Sequence, residues 1–205
     1  MGQRQQLSLS RHVCFQLHHD RCIQCVFTSV AISSDECHFH HRRCGIHGQK
    51  GHYGVAMLSK MPAAAITRGY PSDTDEAQRR MIHGEYSING QTIHIINGYF
   101  PQGEGRAHPT KFPAKEKFYA DLTAYLGNTF SAKDLVIVMG DMNVAPADID
   151  VGIKPENAKR WLKTGKSAFL PEEREWLETL QGWGLTDSFR SMNSEDDRSY
   201  SWFDY

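Results

Sequence analysis

A continuous apolar run at residues 135–139 (LVIVM) is the feature that most constrains this fold, because polar residues follow it at once. Such a run, rich in β-branched residues, is typical of a strand that is buried on both faces of a sheet. Asp141 follows Gly140 directly, and Asn143 comes two residues later. If the extended geometry continues, residues two apart share a face, and both side chains project from the end of the sheet. The alternative is that Asp141 caps a turn or a helix, since aspartate favours such positions.

Length and composition are those of an ordinary globular domain. The chain has 205 residues, 40% of them hydrophobic, which is enough to bury a sizeable core in one domain. The net charge of −1 does not indicate a nucleic-acid binder, so any such role depends on a local basic surface. No apolar run approaches the roughly 20 residues that cross a bilayer, and the first residues lack a signal-peptide pattern. We therefore expect a cytoplasmic protein with no membrane partner.

The first 46 residues differ in texture from the rest of the chain. They carry every cysteine and six of the 11 histidines. A two-residue gap between cysteines is common in zinc sites, so a zinc-binding module is one interpretation. The other is an atypical segment that is not part of the family-like domain, such as the product of a shifted reading frame or a wrong start site. We assign residues 1–46 to this segment and residues 47–205 to a globular domain. The cysteines are Cys14, Cys22, Cys25, Cys37 and Cys44.

The remainder reads as alternating strands and helices. The dipeptide Asn89-Gly90 is a strong hairpin signal between two apolar runs. Further along the chain, two patterns indicate helices. One is the helical spacing of apolar residues, and the other is proline and acidic residues in the first turn with glycine after the last turn. Strands are predicted at residues 55–59, 81–86, 92–96 and 135–139, an extended piece at 185–189, and helices at 112–130, 155–164 and 171–180.

A second apolar strand also delivers polar groups at its end. Residues 92–96 are followed by the sequence NGYFPQG, which turns through glycine and proline. Tyr99 in this stretch is either a buried core tyrosine or a hydroxyl presented at the same sheet edge as Asp141.

Eight stretches of the chain, taken in order, resemble the exonuclease III family of DNA-repair nucleases, within the endonuclease/exonuclease/phosphatase superfamily. Each motif is weak alone, but their order and spacing from residue 48 to residue 205 are specific to the bacterial branch. The motifs are GQKGHYG (48–54), DEAQRR (75–80), INGYFPQG (96–103), KFPAK (111–115), VMGDMN (138–143), RWLKTG (160–165), FLPEEREW (169–176) and SWFDY (201–205).

The resemblance implies an α/β fold, the four-layer α/β-sandwich of this superfamily, in incomplete form. It implies hydrolysis of DNA phosphodiesters with Mg²⁺, or Mn²⁺, by a monomer that acts on abasic sites and 3′ ends of duplex DNA. By resemblance, Tyr99, Asp141 and Asn143 are catalytic, and Asp141 and Asn143 also contact the metal.

The resemblance also implies a set of DNA-binding residues. Arg80 and Lys111 are expected near the DNA backbone, where their contribution to affinity depends on salt. Trp202 and Phe203 are expected to wedge against an extruded abasic nucleotide. The alternative for these two aromatic residues is a simple role in the core.

Several of the family's motifs are missing from this sequence. The Asn-rich and Gln-Glu-Thr-Lys motifs, the latter with the main metal glutamate, do not occur before His47. The sequence ends at residue 205, before the positions where the family carries an Asp-containing strand and the Ser-Asp-His motif that complete the active site. We therefore expect a truncated, marginally stable chain with weak or no activity, since removing members of a catalytic unit costs orders of magnitude in rate. A non-catalytic DNA-binding remnant is the alternative.

Overall fold

The computed structural model describes residues 13–16, 43–49, 53–193, 200 and 202, with the backbone alone at 13–16 and 43. These residues form a helical layer, a six-stranded sheet and a two-stranded sheet. The six-stranded sheet has the order β4-β5-β6-β7-β1-β8. Its strands are β1 (Val13–Gln16), β4 (Ala65–Arg68), β5 (Met81–Ile88), β6 (Gln91–Tyr99), β7 (Leu135–Asp141) and β8 (Thr186–Asp187).

The apolar run of residues 135–139 lies in β7, between β6 and β1. Residues 136–140 of this strand are buried, as the sequence predicts for a central strand. β7 runs parallel to β6 and antiparallel to β1. A parallel pair needs a crossover, and helix α1 (Lys111–Thr129) supplies it.

The hairpin between β5 and β6 follows the Asn-Gly signal. Asn89 and Gly90 have φ angles of 54° and 79°, and Ile88 pairs with Gln91 across the turn. Positive φ at both central residues is the requirement of a type I′ turn, which explains the preference for this dipeptide.

Further helices agree with the predicted ranges, with one correction. Helix α2 spans Pro155–Thr164 and helix α3 spans Pro171–Gly182. The extended piece predicted for residues 185–189 is only partly right, because β8 ends at Asp187 and helix α4 (Ser188–Met192) begins there. The reason is local: the Asp187 carboxylate accepts hydrogen bonds from the backbone N–H groups of Phe189 and Arg190, which caps the new helix.

Two apolar cores cover the two faces of the six-stranded sheet. On one face, α1 and α3 pack on side chains such as Met81, Ile96 and Val138. On the other face, a two-stranded antiparallel sheet of β2 (Arg43–Gly48) and β3 (Gly54–Ser59) packs on side chains such as Ile82 and Ile137. Alternate residues of each central strand therefore serve different cores, which confirms the predicted α/β class.

The proposed division at residue 46 falls inside β2, which runs from residue 43 to residue 48. Of the cysteines considered for a zinc site, Cys22, Cys25 and Cys37 lie outside the described residues. Among the helices described, none combines the length and apolar character that a bilayer-spanning segment needs.

Candidate active site at the carboxyl ends of two parallel strands

Tyr99 and Asp141 are direct partners in the parallel ladder between β6 and β7. Each is the last residue of its strand, so both lie at the carboxyl edge of the sheet. They follow the alternation that turns Ile95 and Met139 toward the two-stranded sheet. Asp141 is exposed and Tyr99 is half-buried. The sequence-based expectation that a phenol and a carboxylate meet at one solvent-accessible edge therefore agrees with the observed geometry.

Asn143 does not continue the extended strand. Its φ angle is 52°, in the left-handed region, and its backbone N–H donates to Oδ1 of Asp141 at 3.1 Å. Its side-chain amide nitrogen donates to the carbonyl oxygen of Phe100 at 2.8 Å. The premise that extended geometry places both side chains on one strand face is thus wrong. Asp141 holds a tight turn, and that turn returns Asn143 to the edge where β6 ends.

A buried ion pair that the sequence analysis did not identify supports this turn. Lys115 and Glu173 have side chains with 0% exposure, and their Nζ and Oε1 atoms lie 2.6 Å apart. The same ammonium donates to the carbonyl oxygen of Asn143 at 2.7 Å. The hydroxyl oxygen of Ser167 lies 2.5 Å from Oε1 of Glu173 and 2.6 Å from the carbonyl oxygen of Gln102, and its single proton is donated to one of these two acceptors. Burial lowers the pKa of Lys115, and the Glu173 carboxylate opposes that shift.

Arg80 is buried beneath the site, with 7% exposure. Its guanidinium lies 3.9 Å from the ring centroid of Tyr53 and 4.7 Å from that of Tyr99, and Nη1 donates to the Tyr99 carbonyl oxygen at 3.0 Å. Burial is the main cause that lowers the pKa of this guanidinium. The structure therefore places Arg80 as a support for Tyr99, and direct contact with a DNA backbone stays a prediction.

The other predicted DNA-binding residues lie in two separate places. Lys111 is exposed at the first turn of α1 and forms an ion pair with Glu104. Trp202 is half-buried, with ring centroids 5.0 Å from Trp161 and 5.4 Å from Phe169 in T-shaped contacts. Trp202 thus packs in a small aromatic cluster, as the core alternative requires, while its remaining exposure leaves the wedge role a prediction. Phe203 lies outside the described residues.

The side-chain oxygen atoms at this edge suit a hard divalent cation. Mg²⁺ prefers oxygen ligands and binds through one or two carboxylates together with waters and substrate phosphates. Asp141 offers an exposed carboxylate, and the hydrogen bond to the carbonyl oxygen of Phe100 fixes the side-chain amide of Asn143 next to the end of β6. In the described part of the chain, no set of three histidine, cysteine or acidic side chains converges at this edge. The residues present therefore fit a magnesium ion that takes much of its coordination from water and phosphate.

Comparison with known proteins assigns this chain to a family. The model of the Endonuclease/Exonuclease/phosphatase family matches residues 4–205. This chain belongs to that family, as the sequence motifs indicated, and the α/β class is that of its structural neighbours.

Three particular relatives are informative. Exodeoxyribonuclease III of Haemophilus influenzae is 55% identical over 159 residues, which cover 78% of this chain and 60% of that protein. An AP endonuclease from Archaeoglobus fulgidus has a TM-score of 0.65 and 28% identity, covering 77% of this chain and 56% of that one. A 3′ phosphatase from Neisseria, whose structure contains a product DNA hairpin, has a TM-score of 0.63 and 33% identity, covering 74% and 55%. This chain thus spans a little over half the length of these relatives.

Proposed function

We propose that this chain carries the central part of a DNA-repair phosphodiesterase of the exodeoxyribonuclease III type. The single observation that supports the proposal most is the direct pairing of Tyr99 with Asp141 at the open edge of the sheet. The proposed activities are 3′–5′ exonuclease action on duplex DNA and incision at abasic sites. The proposed substrate is duplex DNA with abasic sites or 3′ ends, met by a monomer in the cytoplasm.

The chemistry of a phosphodiester accounts for the three residue types. Attack on an anionic phosphate requires an activated water, correct alignment and stabilisation of charge on the oxygens. In our proposal the exposed carboxylate of Asp141 accepts a proton from, or polarises, the attacking water. Tyr99 donates a hydrogen bond to a phosphate oxygen, and Asn143 orients the water or the phosphate. The backbone N–H of Asn143 donates to Asp141, which restrains the carboxylate in position.

A divalent metal is part of this proposal, since members of the family depend on one. Asp141 and Asn143 would hold Mg²⁺, or Mn²⁺, which when bound neutralises charge on the phosphate oxygens. Arg80 contributes by placing its guanidinium against the Tyr99 ring and by donating a hydrogen bond to the Tyr99 carbonyl oxygen. Lys111, Trp202 and Phe203 are proposed to contact the DNA beyond the reacting phosphate.

A DNA-binding role without catalysis is the second candidate. The observation in its favour is that, among the described residues, no group of three histidine, cysteine or acidic side chains that could share one metal ion includes Asp141. In that case the same edge would bind a phosphate and leave it intact.

Cleavage of a duplex with one abasic-site analogue, labelled at either end and incubated with Mg²⁺ or with EDTA, tests the proposal. We expect weak metal-dependent incision by the wild-type chain, and a loss of about 100-fold or more in Asp141→Asn, since a positioned acid–base group contributes roughly that much. Tyr99→Phe should lower the rate and leave the fold intact. Glu178→Gln is the matched control, because it removes an exposed carboxylate on α3.

The outcomes separate the two candidates. Binding of the duplex without incision by the wild-type chain would favour the non-catalytic role. Incision that is unchanged in Asp141→Asn would show that the edge defined by Tyr99 and Asp141 is not the active site.

A further inference from the structure

A second cluster of chemically active side chains lies on the opposite face of the six-stranded sheet. His83 and Glu85 are two residues apart on β5, and His94 on β6 pairs directly with Glu85. All three therefore project to the same face, which is the face covered by α1. Tyr99 belongs to the other face, where it packs against the two-stranded sheet. The cluster is thus separate from the candidate active site.

The potential ligand atoms of the cluster are close enough to share one ion. Nε2 of His83 lies 3.1 Å from Nδ1 of His94. One ligand atom from each of the three side chains falls within 4.8 Å of the others. Two nitrogens that bind one tetrahedral Zn²⁺ at its usual distance lie about 3.4 Å apart. A small rotation of either ring brings the pair to that separation.

The surroundings fix the orientation of His83. Its Nδ1 lies 3.0 Å from the hydroxyl of Tyr125 on α1, so the hydrogen bond leaves Nε2 directed at His94. A ring nitrogen that is anchored in this way is the usual arrangement behind a metal-binding histidine. Phe130 packs against both imidazoles, with ring centroids 5.4 Å from His83 and 4.8 Å from His94. The apolar ring shields this side of the cluster from water.

Burial and charge favour a cation here. His83 is 2% exposed, so its ring meets the other two side chains away from bulk water. Imidazoles bind metals in their neutral form. Glu85 and His94 are half-buried. Two lone pairs and a carboxylate therefore meet at a partly enclosed position.

We propose that His83, Glu85 and His94 form a binding site for a divalent transition-metal ion of the Zn²⁺ class. Two imidazoles and one carboxylate are a known ligand set for zinc, which keeps its fourth position for water. Mg²⁺ is disfavoured at this site, because it prefers oxygen ligands. A bound ion would tie β5 to β6 beneath the end of α1 and raise the stability of the folded chain.

Titration of the whole metal-free chain with Zn²⁺ by calorimetry tests this site. We expect the wild-type chain to bind one equivalent more than the double variant Glu85→Gln/His94→Gln, which replaces the two half-buried ligands with neutral side chains. Each single variant should lose about 10-fold or more in affinity for that equivalent. His108→Gln is the matched control, because it alters a half-buried histidine outside the cluster and should bind as the wild type does.

Co²⁺ used as a spectroscopic probe separates this site from the cysteines of residues 1–46. Ligand-field bands of tetrahedral Co²⁺ that appear without a thiolate charge-transfer band, and that disappear in the double variant, would support the cluster. Thermal unfolding followed by circular dichroism should show a rise in midpoint with Zn²⁺ in the wild type and a smaller rise in the double variant. Equal zinc stoichiometry in the wild type and a folded double variant, or no zinc binding by the wild type, would overturn the proposal.

Discussion

At the scale of single residues, two buried cations support the candidate active site from beneath. Arg80 lies against Tyr99, and Lys115 donates to the carbonyl oxygen of Asn143. Both side chains are buried, so the contacts that the structure shows for them lie within the protein. Both charges act inside the protein: Arg80 positions Tyr99 and Lys115 positions Asn143. These are residues that contact the substrate in our proposal. Such positioning keeps reacting groups in place without reorganisation during the reaction.

The buried pair of Lys115 and Glu173 makes a residue-scale prediction. Removing one partner leaves an uncompensated buried charge, which typically costs 3–5 kcal/mol. We expect Glu173→Gln to lower the free energy of unfolding by about 3 kcal/mol, measured by urea denaturation and circular dichroism. The adjacent Glu172 pairs with Arg106 at a position where the two side chains are 28% and 52% exposed. Glu172→Gln should therefore cost about 1 kcal/mol or less, and equal costs for the two variants would contradict the argument.

At the scale of elements, the site depends on the close approach of β6 and β7. Gly140 has a φ angle of 129°, and a Cβ atom at this position would lie 1.9 Å from the carbonyl oxygen of Gly98. The contact is with backbone, so it cannot be relieved by moving a flexible side chain. Any other residue would force the two strands apart one position before Asp141.

We therefore expect Gly140→Ala to destabilise the fold by roughly 3 kcal/mol or more. Gly127 on α1 is the matched control, because nothing lies within 4 Å of a Cβ atom built there. Gly127→Ala should stabilise the protein by about 0.5–1 kcal/mol, as alanine does inside helices. The thermal midpoints of the two variants should move in opposite directions. A Gly140→Ala variant as stable as the wild type would show that the strands separate at little cost.

At the scale of the whole molecule, polar contacts cross the apolar layer between the two sheets. Nδ1 of His47 on β2 lies 2.8 Å from the carbonyl oxygen of Met81 on β5. Asn97 on β6 donates to the carbonyl oxygen of Ala56 on β3 at 3.0 Å, and Arg68 on β4 donates to that of Ile46 at 2.7 Å. Apolar packing alone leaves the relative placement of two sheets weakly specified, and these bonds define it.

The burial of His47 makes the stability of the whole molecule depend on pH. Burial is the main cause that lowers the pKa of His47 from its ordinary value of 6.5. The unfolded chain therefore takes up a proton before the folded chain does, and the free energy of unfolding falls as the pH drops below about 6.5. Urea midpoints between about pH 7.5 and about pH 5.5, measured with EDTA, should fall less in His47→Gln than in the wild type. Parallel curves for the two proteins would contradict this assignment.

Local pattern determined much of what the sequence predicted. Several elements depend only on neighbouring residues and can therefore be predicted from the local sequence. They are the strand at residues 135–139, the Asn-Gly turn and the helices that begin with Pro155 and Pro171. The proximity of Tyr99 and Asp141 could also be predicted from the sequence, because parallel strands bring their carboxyl ends to one edge. The family motifs added the roles that we propose for these residues.

Tertiary structure alone decided the rest. The turn that returns Asn143, the burial of Arg80 and the pair of Lys115 with Glu173 depend on contacts between residues that are far apart in the chain. The three-residue cluster on the opposite face depends on the register of one hairpin, since a slip of one residue would send His94 to the other side of the sheet. Sequence periodicity assigns a residue to a face. Only the folded chain determines which side chains meet there, because register and packing are set by the whole core together.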